Sequence, residues 1–387
     1  MIYLDNSATS FPKPEAVHQA MGHFARHEAG SPNRAGHFFS RAADTHLRGA
    51  REALCELFNA PDPNRMISTF NATDALNMAI KGVLRRGDHV VTTVIEHNSV
   101  LRPLRVLEDR GMIQVTRLEP KPGASVVSAL QITGAMRENT RLVAVVHGSN
   151  VTGVLQPVAD MGPAVRSLGA YFLVDASQTV GHVPIDVQTM EIDLLAFPGH
   201  KGLLGPAGTG ALWVDPRVEI QTWREGGTGF DSQNPVQPAE FPAWLEAGSP
   251  NTLGMAGLKA GVEYVLDRGV QEIARWESNL RERLVSGLEG IPGLRLIEPR
   301  PKSGAVCVVS FLIEGVTPSG VGAWMDEARG IACRTGLLCA PLYQQWLGTF
   351  PEGVVRFSPG CMSTEEEIDE AISAVEACAG HFARVAA

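Results

Sequence analysis

Apolar and polar positions follow two regimes along this chain of 387 residues. From Arg65 to about Val214, short and nearly unbroken apolar runs alternate with stretches whose apolar residues recur at helical spacing. That predicts a parallel sheet with helices on both faces. HVVTTV, RLVAVV and the runs at 172–174, 194–197 and 211–214 are the predicted strands, and MISTF leads into a helix of good formers from Ala72 to about Leu84. Upstream, residues 1–20 read as an arm entering a helix, with Pro12 and Pro14 at the turn and a helical pattern over 15–24. SPNRAGHFFS reads as a polar loop and 45–58 as a helix. Downstream, the glycine-rich REGGTGFDSQNP and LEAGSPNTLGMAGL precede a long amphipathic pattern from 255 to about 288. AVCVVSFLI and VVRFS, with helices around 320–328 and 364–378, suit a second, smaller sheet, and Thr364 with Glu367 forms a capping box. The expected organisation is an arm (1–20) packed on the small domain, a large domain (21–255) and a small C-terminal domain (256–387).

Composition narrows the classes. A hydrophobic share of 44% supports a large core, and a net charge of −9 without a basic run argues against a nucleic-acid partner. No window reaches about 18 uninterrupted apolar residues, and MIYLDNSATSFPKPEA has no positive segment followed by an apolar stretch. A soluble, cytoplasmic chain with no membrane partner is expected. The six cysteines are widely spread without metal-type pairs, so neither a disulfide framework nor a metal site is expected.

The densest chemistry lies in LVDASQTVGHVPIDVQTMEIDLLAFPGHKGLLGPAGTGALWV. One buried strand ends in Asp175, and the next ends in Gly199, His200 and Lys201 before a glycine-rich turn. A carboxylate and an amine therefore reach one sheet edge, where open α/β sheets bind ligands. A pyridine-based cofactor held as a Schiff base needs such a pair: an amine to condense with its aldehyde and a carboxylate to keep its ring nitrogen protonated. Asp at a strand end also caps helices, and Lys beside glycines also serves as a solvated turn residue. The pair on adjacent strands, with Gln178 and His200 attached, is the more specific feature. The loop is no Walker motif, because its lysine precedes the glycines. Ala72 and Thr73 open a helix whose free N–H groups suit a phosphate, although capping by Asn71 or Thr73 explains the same residues. His97 follows another strand at its ligand-facing end, and Asn150 lies in a loop before a helix starting near Pro157.

VDASQ followed by FPGHKGLLGPAGTGALWV, with LDNSAT near the N-terminus, resembles the class V aminotransferase family of fold type I pyridoxal phosphate enzymes, and within it the cysteine desulfurases. The similarity covers essentially the whole chain. In GIACRTGLLCAP, Arg334, Gly336 and Cys339 match the R-x-G-x-x-C-A pattern of group II cysteine desulfurases. Cys333 is a nearer competitor for the nucleophile than Cys307 or Cys378, which read as core.

The resemblance implies the α/β fold of that class, with a large, mostly parallel seven-stranded sheet domain and a smaller C-terminal α/β domain carrying the nucleophile loop. It implies pyridoxal 5'-phosphate on Lys201, Asp175 at the pyridine nitrogen, His97 stacked on the ring and Gln178 at the phenolate oxygen. Ala72, Thr73 and His200 complete the cofactor contacts, and Asn150, Arg334 and Arg356 hold the substrate. Ser249 is expected to reach the phosphate of a partner subunit's cofactor in a homodimer. Asn33, Arg34 and His37 are candidate pocket residues toward a neighbouring subunit, which loop polarity explains equally well. The implied reaction converts L-cysteine to L-alanine and leaves a persulfide on Cys339, with a sulfur-acceptor protein as further partner. A selenocysteine lyase acting on L-selenocysteine, another class V lyase or aminotransferase, and a non-catalytic scaffold of the same fold are the alternatives. Two positions depart from the pattern. Leu337 and Leu338 stand where polar residues are common, which predicts an apolar surround for the thiol. Pro198 stands where a hydroxyl often meets the phosphate, and proline has neither hydroxyl nor N–H.

Overall fold

The computed structural model describes residues 1–32, 36–229 and 233–386. In chain order, the first elements are β1 (Ile2–Tyr3), α1 (Glu15–His27), α2 (Phe38–Phe58), β2 (Met66–Thr69), α3 (Ala72–Val83), β3 (Asp88–Thr93), α4 (Asn98–Asp109) and β4 (Ile113–Leu118). Then come α5 (Ala129–Ala135), β5 (Thr140–Val146), α6 (Val158–Ser167), β6 (Tyr171–Asp175), β7 (Leu194–Pro198), β8 (Gly210–Val214), α7 (Thr252–Arg268) and α8 (Val270–Leu288). The last are β9 (Leu294–Ile297), β10 (Val309–Ile313), α9 (Pro318–Arg329), β11 (Ile331–Ala332), β12 (Arg334–Gly336), α10 (Pro341–Trp346), β13 (Val354–Phe357) and α11 (Glu365–Ala386).

Seven strands form one sheet in the order β2-β8-β7-β6-β5-β3-β4, parallel except for β8. Every residue of β6, β7 and β8 is buried. Their apolar runs are continuous because both faces are covered: Phe172, Val174, Leu195 and Phe197 join a core with α2, α6 and α7. Tyr171, Leu173, Leu194 and Ala196 join the opposite core with α3 and α4. A second, antiparallel sheet, β12-β13-β10-β9, packs with α8, α9 and α11. The first residues cross to it, since β1 pairs with β11 and Leu4 is fully buried in that core.

Three local expectations change. The polar loop ends earlier than its composition indicated, because Phe38, Phe39 and Ser40 already belong to α2 and His37 caps it, its Nδ1 accepting from Ser40 N. The long pattern from 255 to 288 is two helices, broken at Gly269, whose φ of 83° ends a helix readily. Of AVCVVSFLI only Val309–Ile313 is strand. The capping box at α11 is present, with Glu367 N donating to Thr364 Oγ1 at 3.3 Å and Thr364 N donating to Glu367 Oε2 at 3.1 Å.

The sheet order places the site. From β3 the chain moves to β4 on one side, and from β5 to β6 on the other, so a crevice opens between β3 and β5 at their C-terminal ends. His97 follows β3, Asn150 follows β5, Asp175 ends β6, and His200 and Lys201 follow β7. Since β2 runs with these strands, Ala72 and Thr73 emerge at the same edge.

Candidate active site

A cavity of about 110 Å³ lies at this edge. Ala72, Thr73, His97, Asn150, Asp175 and Gln178 border it, as do His200 and Lys201. Eight sequence-selected residues, drawn from five loops, thus share one surface.

At the start of α3, Asn71 is the cap, its Oδ1 accepting from Asp74 N at 2.9 Å. Thr73 is left to turn its hydroxyl toward Ser99 Oγ, 2.8 Å away, and Ser99 Oγ lies 2.9 Å from His97 Nδ1. Ser99 N also donates to His97 Nδ1 at 3.0 Å. A backbone N–H can only donate, so Nδ1 accepts and the neutral ring carries its proton on Nε2. Burial holds the imidazole below its ordinary pKa, with Lys201 and Arg102 acting in the same direction and Asp175 opposing them.

Asp175 is 2% exposed, and its Oδ1 accepts from the N–H of Ser177 at 3.0 Å and from its hydroxyl at 2.5 Å. Lys201 is pushed down to about 8, chiefly by burial and further by Arg356, against the pull of Asp175, Asp5 and Cys339. Its turn is tied down from the N-terminal arm. The carbonyl oxygen of His200 accepts from Ser10 N at 3.0 Å, Thr9 Oγ1 at 3.1 Å, Ser10 Oγ at 3.2 Å and Lys13 Nζ at 3.4 Å. Burial, with Lys201 and Lys13 nearby, lowers the His200 ring to about 4, and its buried Nδ1 has no hydrogen-bond partner among the described residues. Gln178 donates to Ser7 O at 3.1 Å, so the arm reaches the cavity at a second point.

Arg356, on β13, is 3% exposed rather than a surface strand residue. It donates to Asp5 Oδ1 at 2.7 Å and to Asn150 O at 3.0 Å. Cys339 lies on the turn after β12 and is exposed. The expected apolar enclosure is absent because Leu338 turns inward and packs against the main core, leaving the thiol outside.

Other candidates stand apart. Arg334 pairs with Arg356 across β12 and β13 but is exposed and does not border the cavity. Ser249 is exposed and borders a separate recess with Phe70 and Arg224. Within one chain it therefore does not join Lys201. His37 is a helix cap, while Asn33 and Arg34 lie outside the described residues.

Several residues of the site escaped sequence reasoning: Asp5, Ser7, Ser99, Ser177 and the fully buried Glu96. Glu96 Oε1 accepts from Thr93 Oγ1 at 2.7 Å and Val146 N at 3.1 Å. Burial pushes its carboxyl up to about 8. All five lie inside LDNSAT, IEHNS and VDASQ, so the stretches themselves were the available signal. Among the described residues no group of His, Cys, Asp and Glu is arranged to hold a metal, and no helix is long and apolar enough to cross a membrane.

This geometry has known counterparts, and the family model described as Aminotransferase class-V matches residues 2–371. The chain belongs to the class-V aminotransferase family. One relative, a probable cysteine desulfurase of Methanothermobacter thermautotrophicus, is 34% identical over 387 residues, covering 98% of this chain and 95% of its own. A cysteine desulfurase of Pectobacterium carotovorum is 32% identical, with 97% and 92% covered. Among solved structures, the apo cysteine desulfurase of Thermococcus onnurineus superposes with a TM-score of 0.89 at 30% identity, covering 98% of this chain and 95% of that one.

Proposed function

We propose that this chain is a pyridoxal 5'-phosphate-dependent cysteine desulfurase that converts L-cysteine to L-alanine and takes the sulfur onto Cys339. The observation that carries the reading is the cavity that Lys201 and Asp175 border together, with the exposed Cys339 on a turn whose Leu338 O accepts from Asn150 of the same cavity.

The residues present fit the cofactor. A helix N-terminus with Ala72 and Thr73 suits its phosphate, and the unpartnered Nδ1 of His200 offers a further contact where Pro198 lacks a hydroxyl. Bound there, the cofactor supplies an electron sink for bonds at the Cα of an amino acid. Lys201, with an appreciable neutral fraction near pH 8, would hold it and shuttle a proton at Cα. Asp175, an acceptor oriented by Ser177, would keep a proton on the ring nitrogen. His97 would stack its neutral ring against the cofactor, and Gln178 would donate to the phenolate oxygen. Arg356 would clamp the substrate α-carboxylate through its planar fork, aided by Asn150, with Arg334 orienting the substrate near the turn. The Cys339 thiolate takes the substrate's sulfur atom: the C–S bond breaks, an S–S bond forms, and the carbon that loses sulfur gains a proton. Thiol plus cysteine thus becomes persulfide plus alanine, with atoms and electrons balanced.

The same reading includes a homodimer in which Ser249 meets the partner's cofactor. Phe38 and Phe39, packed on each other and 56% and 50% exposed, support it as apolar surface that a partner would cover. Six free thiols suit a reducing compartment such as the cytoplasm, and a sulfur-acceptor protein would discharge the persulfide.

The test is to incubate cofactor-loaded protein with L-cysteine and a reductant, measuring alanine and sulfide for the wild type and Cys339→Ser. Equal yields of both products, lost in the variant, support the desulfurase. Products unchanged in the variant remove Cys339 from the reaction and favour the selenocysteine lyase alternative or another thiol. A yellow wild type that forms no product sends the reading to transamination.

A further inference from the structure

Leu338 and Cys339 are consecutive non-glycine residues with φ of 52° and 59°. Left-handed backbone costs an L-residue roughly 1–2 kcal/mol, so two in succession persist only where neighbours over-determine them. The neighbours here hold every carbonyl of the turn. Leu337 O accepts from Ala340 N at 3.0 Å and from Gln344 Nε2 at 3.4 Å. Leu338 O accepts from Asn150 Nδ2 at 2.5 Å, and Cys339 O accepts from Asn98 N at 2.8 Å.

Two of these donors come from across the crevice. Asn98 directly follows His97 at the start of α4, and Asn150, 8% exposed, borders the cavity itself. Asn150 works in two directions, because its backbone carbonyl accepts from Arg356 Nη1 while its side chain grips the turn. One N–H of the amide is spent on Leu338 O; the other N–H and Oδ1 remain for a molecule in the cavity.

We propose that Asn150 is a positioning residue for the Cys339 thiol, holding the strained turn against the cavity through Leu338 O. The value of the position for sulfur transfer rests on the desulfurase reading, whereas the docking of the turn does not. Without this donor, Leu338 O has no hydrogen-bond partner among the described residues, and the turn is held by Asn98, Gln344 and Ala340. The turn then opens more often.

The readout is the Asn98 amide, whose acceptor is Cys339 O, followed by site-resolved hydrogen exchange in the cofactor-free full chain. Asn150→Asp keeps the shape but presents oxygens to the carbonyl, and Asn150→Ala removes the side chain. Both are expected to speed exchange at Asn98 by about tenfold, leaving the amides of β6 and β10 at wild-type rates. Because no turnover is measured, failure of the desulfurase reading leaves this result intact. Unchanged exchange at Asn98 in either folded variant would overturn the proposal, as would an acceleration that β6 and β10 share in both.

Discussion

Asp5 and Arg356 form an ion pair of 2.7 Å between the first residues of the chain and its last strand, with side-chain exposures of 14% and 4%. The arginine's other Nη holds Asn150 O, so the pair ties the arm, β13 and the loop after β5 together. Removing one partner strands a buried charge, which costs about 3–5 kcal/mol. Asp5→Ala should therefore lower stability by about 3 kcal/mol, read as a shift in the urea midpoint at unchanged slope. Loss below about 1 kcal/mol would mean that solvent already screens the pair.

Lys201 should react as a neutral amine at unusually low pH. With its pKa near 8, labelling by an acylating reagent in the cofactor-free chain should rise with pH and level off about one unit above 8, while exposed lysines climb toward about 10.4. Asp175 raises this pKa, so Asp175→Asn should move the plateau lower still. Peptide-resolved mass spectrometry across pH 6–11 distinguishes the two profiles.

Glu96 makes a stability prediction with the opposite sense of titration from an ordinary salt-bridged carboxylate. Its folded pKa, about 8, lies above the unfolded value near 4.5, so the folded chain retains a proton that the unfolded chain has released. Stability from this group is complete below about pH 4.5 and is lost as pH rises to about 8, on the order of 5 kcal/mol in total. Glu96→Gln keeps an acceptor for Thr93 and Val146 without the charge. Wild type and variant should unfold at the same urea concentration at pH 4, with the variant the more stable at pH 8.5.

Gly181 packs its Cα against the residue that follows Lys201: a Cβ there would lie 2.2 Å from Gly202 O, at a φ of +79°. Gly111 has φ +63°, and among the described residues beyond its chain neighbours no atom lies within 4 Å of such a Cβ. Gly111→Ala should cost only the left-handed backbone term, about 1 kcal/mol, and Gly181→Ala at least twice that because backbone must move. Urea midpoints of the two variants separate strain from collision, and equal losses would count against the close approach.

The periodicities carried the α/β architecture, the strand ends bearing Asp175, His97 and Lys201, and the helix start at Ala72, because burial on two faces and helical spacing leave marks within a few neighbouring residues. Those same marks miscounted where a local feature interrupts them, as at Gly269, where a single left-handed glycine splits one apparent helix into two. His37 looked like loop polarity because a cap and a loop share composition.

What the sequence by itself determined is the chemistry available at the sheet edge and the order in which it arrives. Only tertiary structure decided that Asp5 neutralises Arg356, that Ser99 fixes the tautomer of His97, that Leu338 turns inward while Cys339 stays exposed, and that Ser249 lies away from Lys201 in its own chain. Asp5 and Arg356 are 351 positions apart. Contacts across such separations depend on how two sheets and a returning N-terminal arm meet, and no local spacing encodes that meeting.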